Sequence, residues 1–186
     1  MPTLEPVEAP TNWFVKLMYL WSKRRYKKVI SPVGVIYARK PALGLLGAHI
    51  THLAEQRLSL EPTLSLLVQS YVSLQNGCSF CHDLAQASAV QKRLGWEKFA
   101  ALETFHDNPV FNERERAALA LTHEVTRAKR VSDEAFARAR QHFSELELIE
   151  IVWLNAAETY FNTLALPLGL SSDGLLAAAQ TRVKPR

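Results

Sequence analysis

From Asn12 to Leu166, apolar positions recur every three or four residues, and strict alternation is sustained nowhere, so the chain reads as helices. Asn12 can cap a first helix from Trp13 to about Ile30, which Pro32 would close. Pro41 suits the first turn of a second helix with Leu43, Leu46 and Ile50 on one side. A third, over about 63–74, carries Leu64, Leu67, Val68, Tyr71 and Val72, and Asn76-Gly77 breaks it. A fourth begins near Ser79 and runs through Ala85, Ala89 and Val90 to Leu94, ending at Gly95; a short piece follows from Trp96 to Phe105. Asn112 with Glu115 has the pattern of a capping box opening a helix to about Lys129. Ser132, followed by Asp133 and Glu134, opens another. Ser144 with Glu147 opens the longest late helix, to about Leu166, before Pro167. There is no internal repeat and no low-complexity segment. The expected class is all-α.

A length of 186 residues fits one domain, here expected over 12–180. The Pro-rich, acidic residues 1–11 are expected to lie extended across the surface or a neighbouring subunit, and 181–186 form a basic tail. A hydrophobic share of 48% is ordinary for a globular chain, and the net charge of +4 is too small to indicate a nucleic-acid partner. The one dense cluster, Lys23, Arg24, Arg25, Lys27 and Lys28, reads as a solvated helix face. The apolar stretch Trp13–Trp21 is too short to span a bilayer and contains Lys16, so no stable membrane insertion is expected, only weak surface attachment at most. Glu5 and Glu8 do not suit an export signal, and a cytoplasmic address is the default.

That address bears on the two cysteines, Cys78 and Cys81. In a reducing compartment two thiols this close are more often redox-active, catalytic or metal-binding than a permanent staple. At a helix start the spacing lets both sulfurs bond to each other, and free N–H groups and the helix dipole favour a thiolate. Such a thiolate attacks a disulfide or a peroxide, and the second thiol resolves the product. Three other readings compete. Cys78-Ser79-Phe80-Cys81-His82 matches the c-type haem attachment pattern, but the chain offers only Met1 and Met18 as thioether ligands. A zinc site would need both cysteines, His82 and a fourth ligand from His49, His52 or His123. Inert, buried cysteines are the last.

The run Ser73–Leu84, centred on Asn76-Gly77-Cys78-Ser79-Phe80-Cys81-His82, resembles the signature of the alkylhydroperoxidase D-like, carboxymuconolactone decarboxylase family. The stretches 112–121, 131–136 and 155–162 resemble it as well, and the similarity extends from about Trp13 to Leu170. This resemblance implies a compact helical fold, a homo-oligomer (trimer or hexamer), and Cys81 as the peroxidatic thiol with Cys78 resolving. The helix-start argument alone would favour Cys78 as the more acidic thiol. The decarboxylase branch generally lacks the cysteine pair, so lactone chemistry is not expected. The family's proton relay uses a glutamate on the preceding helix and a histidine one turn after the second cysteine; those positions hold Leu66 and Ala85, which move no proton.

His82 and Glu158 are the candidates to replace it. A charged His82 imidazole would lower the pKa of Cys81, although successive helical residues point about 100° apart and a surface histidine is as good a reading. Asp83 reads as a first-turn dipole partner rather than a catalyst. Asn155, Glu158 and Asn162 form a polar stripe on an apolar helix, and burial would raise the Glu158 pKa toward that of a base working near neutrality; an interface or surface role is the alternative. Tyr71, Tyr160, His49 and His123 are lesser candidates. The expected activity is a thiol-dependent peroxidase or disulfide oxidoreductase in an antioxidant role. It takes a peroxide or disulfide substrate and an external dithiol reductant, and needs no cofactor and no metal. The alternative is a catalytically weak, homo-oligomeric redox sensor or scaffold of the same fold.

Overall fold

The computed structural model describes residues 2–183 and is helical, with no strand among the described residues. In chain order the helices are α1 (Trp13–Tyr26), α2 (Pro41–Gln56), α3 (Pro62–Asn76), α4 (Ser79–Lys92), α5 (Trp96–Ala100), α6 (Glu113–Ala128), α7 (Asp133–Arg140), α8 (Glu145–Ala165) and α9 (Leu175–Val183). A π-helical segment, Val33–Tyr37, joins α1 to α2.

Local chemistry sets most helix starts. Asn12 accepts the Phe14 and Val15 N–H groups, and Ser132 accepts that of Ala135. Capping boxes form at both expected sites, Asn112 with Glu115 and Ser144 with Glu147. Pro41 and Pro62 occupy first turns, where the missing N–H costs nothing. Two helix ends differ from the sequence pattern. α1 stops at Tyr26 because Lys27 turns left-handed (φ 65°), so Pro32 does not close it; Pro32 precedes the π-helical segment. α4 stops at Lys92 with Arg93 left-handed, while Gly95 (φ 78°) caps α5. On α2 the packed positions are Gly44 and Gly47 rather than Leu46, which is exposed. A Cβ on Gly47 would lie 3.1 Å from the Tyr37 hydroxyl, so a small residue is what lets this helix close in.

α3 is the central element and packs against α4, α6 and α8. Its Leu64 and Val68 join Ala118, Leu121, Ile151 and Leu154 on one side, and its Leu67 and Tyr71 join Phe99, Phe105, Phe111 and Leu119 on another. Each fully buried Leu here contributes about 1.5–3 kcal/mol relative to an exposed one. A further apolar cluster gathers α1, the π-helical segment, the start of α4, the end of α8 and α9.

The sequence pattern did not reveal α9, which packs along α4. Residues 181–183, assigned to the basic tail, are its last turn; Lys184, Pro185 and Arg186 lie outside the described residues. The N-terminal segment is held against the chain itself. Thr3 N–H donates to the Leu168 carbonyl at 2.9 Å, Val7 N–H to that of Gly34 at 3.0 Å, and the Tyr19 hydroxyl to that of Val7.

Candidate redox site

α3 ends in a left-handed residue, Gly77 (φ 72°), a conformation glycine adopts without a Cβ penalty. The turn that follows is closed by the Cys78 N–H, which donates to the Ser73 carbonyl at 2.9 Å. It leaves Cys78 as the N-cap of α4 rather than inside its first turn, and Cys78 Sγ accepts the Cys81 N–H at 3.4 Å. Cys81 is the third helical residue. With Cα atoms 5.4 Å apart, the two sulfurs are joined as a disulfide.

Cys78 is fully buried, and Cys81 keeps 7% exposure. Both belong to the apolar cluster with Val15 and Tyr19 of α1, Val33 and Ile36 of the π-helical segment, and Ala179 of α9. Apolar surroundings oppose a thiolate, whereas the N-terminal end of α4 favours one. The cap contact directs the second effect at Cys78, while residual access lies with Cys81.

His82, half-buried, turns away along α3: its Nδ1 lies 3.3 Å from the Ser70 carbonyl and 3.4 Å from the Ser70 hydroxyl. Burial lowers its pKa from 6.5, with the Ser70 carbonyl and the charges of Glu103 and Asp83 pulling the other way. Burial thus works against the charged form of the ring, and the contacts of its Nδ1 are to Ser70. Asp83 also differs from expectation. It is buried and caps α9, not its own helix: Oδ2 accepts the Ser172 hydroxyl at 2.8 Å and the Leu175 N–H at 2.9 Å, and Oδ1 accepts the Leu176 N–H at 2.8 Å. Leu66 packs in the apolar cluster of α3 and Phe99, and Ala85 is buried.

Glu158 is buried in α8. Its Oε1 accepts the Ser73 hydroxyl at 2.7 Å and the Asn162 amide at 2.8 Å, and Asn76 donates to Asn162 Oδ1 at 2.8 Å. Desolvation raises the Glu158 pKa, and the Ser73 and Asn162 donors partly offset it. The carboxyl thus sits behind the turn that carries Cys78, linked to it through Ser73. Asn155, the third member of the stripe, turns to α6 instead and donates to Thr126 Oγ1 at 2.6 Å. Ser70, and the polar contacts that Ser73 and Asn76 make, escaped notice in the sequence. Their signal was polar residues at three-residue spacing on a helix otherwise apolar enough to be central.

The lesser candidates lie elsewhere. The Tyr71 hydroxyl pairs with His123 Nδ1 at 2.9 Å, and burial pushes the Tyr71 pKa up to about 12. His49 and His52 are exposed, and the Tyr160 hydroxyl is buried without a hydrogen-bond partner among the described residues. Among the described residues, no three His, Cys, Asp or Glu side chains are grouped to hold a metal ion.

Helical architecture and cysteine placement together define a class: the chain is built like the alkylhydroperoxidase D-like, peroxidase-related proteins. A protein of unknown function from Agrobacterium tumefaciens, provisionally assigned to the antioxidant defence protein AhpD, shares 25% identity. That match covers 74% of this chain and 96% of the other, with a TM-score of 0.69. An uncharacterized peroxidase-related protein with an AhpD core, from Ralstonia eutropha, matches at a TM-score of 0.79 over 97% of this chain and 98% of its own, with 17% identity. The uncharacterized protein YdfG of Bacillus subtilis is 27% identical over 113 residues, which is 60% of this chain and 77% of that one. No family model matches the chain.

Proposed function

We propose that the protein is a thiol-dependent peroxidase or disulfide oxidoreductase with an antioxidant role. The observation that carries this reading is the Cys78–Cys81 disulfide closed across the first turn of α4. In the reduced protein, the Cys81 thiolate attacks the terminal peroxide oxygen; the O–O bond breaks, and the alkoxide or hydroxide leaves as alcohol or water after taking a proton. Cys81 is then a sulfenic acid. The Cys78 thiolate, stabilised at the helix cap, attacks that sulfur, hydroxide leaves as water, and the disulfide forms. An external dithiol returns both thiols by exchange and takes up the oxidation. Cys81 is assigned the first step because it is the more exposed of the two cysteines. Glu158 is assigned to positioning: it holds Ser73, whose carbonyl holds the Cys78 N–H. His82, whose pKa burial lowers and whose Nδ1 contacts Ser70, is assigned as a positioning residue for the start of α4.

A second reading, a slow redox sensor or scaffold, is favoured by Leu66 and Ala85, apolar at the two positions where the resembled family places its relay. Peroxide turnover with a dithiol reductant separates the two. The wild type should consume peroxide, and Cys78→Ser and Cys81→Ser should fall to background. Equal background rates for all three would leave the sensor reading. Trapping of sulfenic acid on Cys81 in Cys78→Ser tests the order of the sulfurs; a product only on Cys78 in Cys81→Ser reverses it.

A further inference from the structure

α1 presents two apolar faces. The inner one, Val15 and Tyr19, packs into the cluster that holds both cysteines. On the outer face Trp13, Leu17, Leu20 and Trp21 are 71, 51, 65 and 55% exposed. At about 100° per residue these four fall in one sector of the helix, with Lys16 and Lys23 along one edge and Arg24 at its C-terminal end. α1 contains no acidic residue. Among the described residues, Lys16, Lys23, Arg24 and Arg25 have no carboxylate within 4.0 Å; the neighbouring Lys28 does, at Asp173.

Charge decides between the surfaces that would cover such a stripe. A second copy meeting this face antiparallel through a two-fold axis would set the Lys16–Lys23 edge against the same basic edge of its partner. A bilayer rich in anionic phospholipid meets both features at once. Leucines enter the acyl boundary, tryptophan rings sit at headgroup depth, and the basic edge faces phosphate. We propose that α1 is an in-plane anchor that docks the protein on an anionic phospholipid surface. It lies on the bilayer and does not cross it: α1 has 14 residues, against about 20 for a spanning helix. The proposal stands apart from the redox reading. Its consequence for that site is spatial, because a bilayer seated on α1 lies over the cluster containing Cys78 and Cys81.

Co-sedimentation of the full chain with phosphatidylcholine vesicles, with and without phosphatidylglycerol, tests it. Binding is expected only with phosphatidylglycerol, weakened by added salt, and reduced at least about tenfold by Leu17→Glu with Leu20→Glu or by Lys16→Glu with Lys23→Glu. All four positions are exposed, and far-UV circular dichroism of each variant is the check that the fold is kept. Three results would overturn the proposal: no binding of the wild type to anionic vesicles, equal binding to both vesicle types, or binding unchanged in both variants. So would a wild-type oligomer in lipid-free solution that Leu17→Glu with Leu20→Glu dissociates, since that assigns the face to a second copy.

Discussion

Ser73 and Glu158 are joined by a 2.7 Å hydrogen bond between α3 and α8, and the same Ser73 supplies the carbonyl that accepts the Cys78 N–H. A buried acid and a redox sulfur are thereby tied to one residue. Removing the Ser73 hydroxyl leaves Glu158, among the described residues, with the Asn162 amide as its donor. Ser73→Ala should cost about 1–3 kcal/mol in urea unfolding and slow disulfide formation in the reduced protein.

The raised pKa of Glu158 has a sign that pH can reveal. The folded protein binds the Glu158 proton more tightly than the unfolded chain does. That contribution is fully present below the ordinary value of 4.5 and is lost as pH rises from there through the folded pKa. Glu158→Gln keeps both donors a carbonyl to bond and removes the titration. Between pH 4 and 8, stability of the wild type should fall with rising pH relative to the variant, measured by urea unfolding at each pH.

His82 shifts in the opposite sense. Its pKa lies below 6.5, so its contribution is present above that value and is lost as pH falls through the folded pKa. NMR titration of the ring should give a midpoint below 6.5. Acidification should destabilise the wild type more than His82→Gln.

Asp83 fastens α9 to α4 by satisfying two N–H groups at its start. Asp83→Ala orphans both and removes a carboxylate from the positive end of the helix. The expected cost is about 2–3 kcal/mol, read as a lowered urea midpoint, with the end of α9 exchanging amide protons first.

Reduction of the disulfide should leave the fold in place. The bond closes a loop of a single turn, so the chain-entropy effect is only about 2 kcal/mol, and the apolar cluster around both sulfurs is unchanged. Far-UV circular dichroism with and without dithiothreitol should superimpose at neutral pH, with a modest loss in the denaturation midpoint.

Local signals were legible where a helix begins with its own chemistry. Asn112 with Glu115, and Ser144 with Glu147, each complete a capping box within four residues, and no distant contact is needed to explain those starts. The cysteine pair was legible for the same reason: its spacing alone allows the bond, and Gly77 in front of it supplies the turn. Helix ends were less so. Pro32 looked like the stop for α1, but Lys27 ends it first, and Ser22 Oγ, which donates to the Lys28 carbonyl and accepts the Ile30 N–H, holds the turn.

The order of residues determined an all-helical chain with two sulfurs at a helix mouth, because periodicity, caps and close spacing act within a few residues. Tertiary structure decided which polar groups share a site. Glu158 meets Ser73 across 85 positions, and Asp83 meets Leu175 across 92, and a one-dimensional pattern carries no record of either meeting. It also shifted proton affinities. Burial raises the Glu158 pKa and lowers that of His82, and how much water the packed helices exclude is a property of the assembled fold rather than of any short stretch of chain.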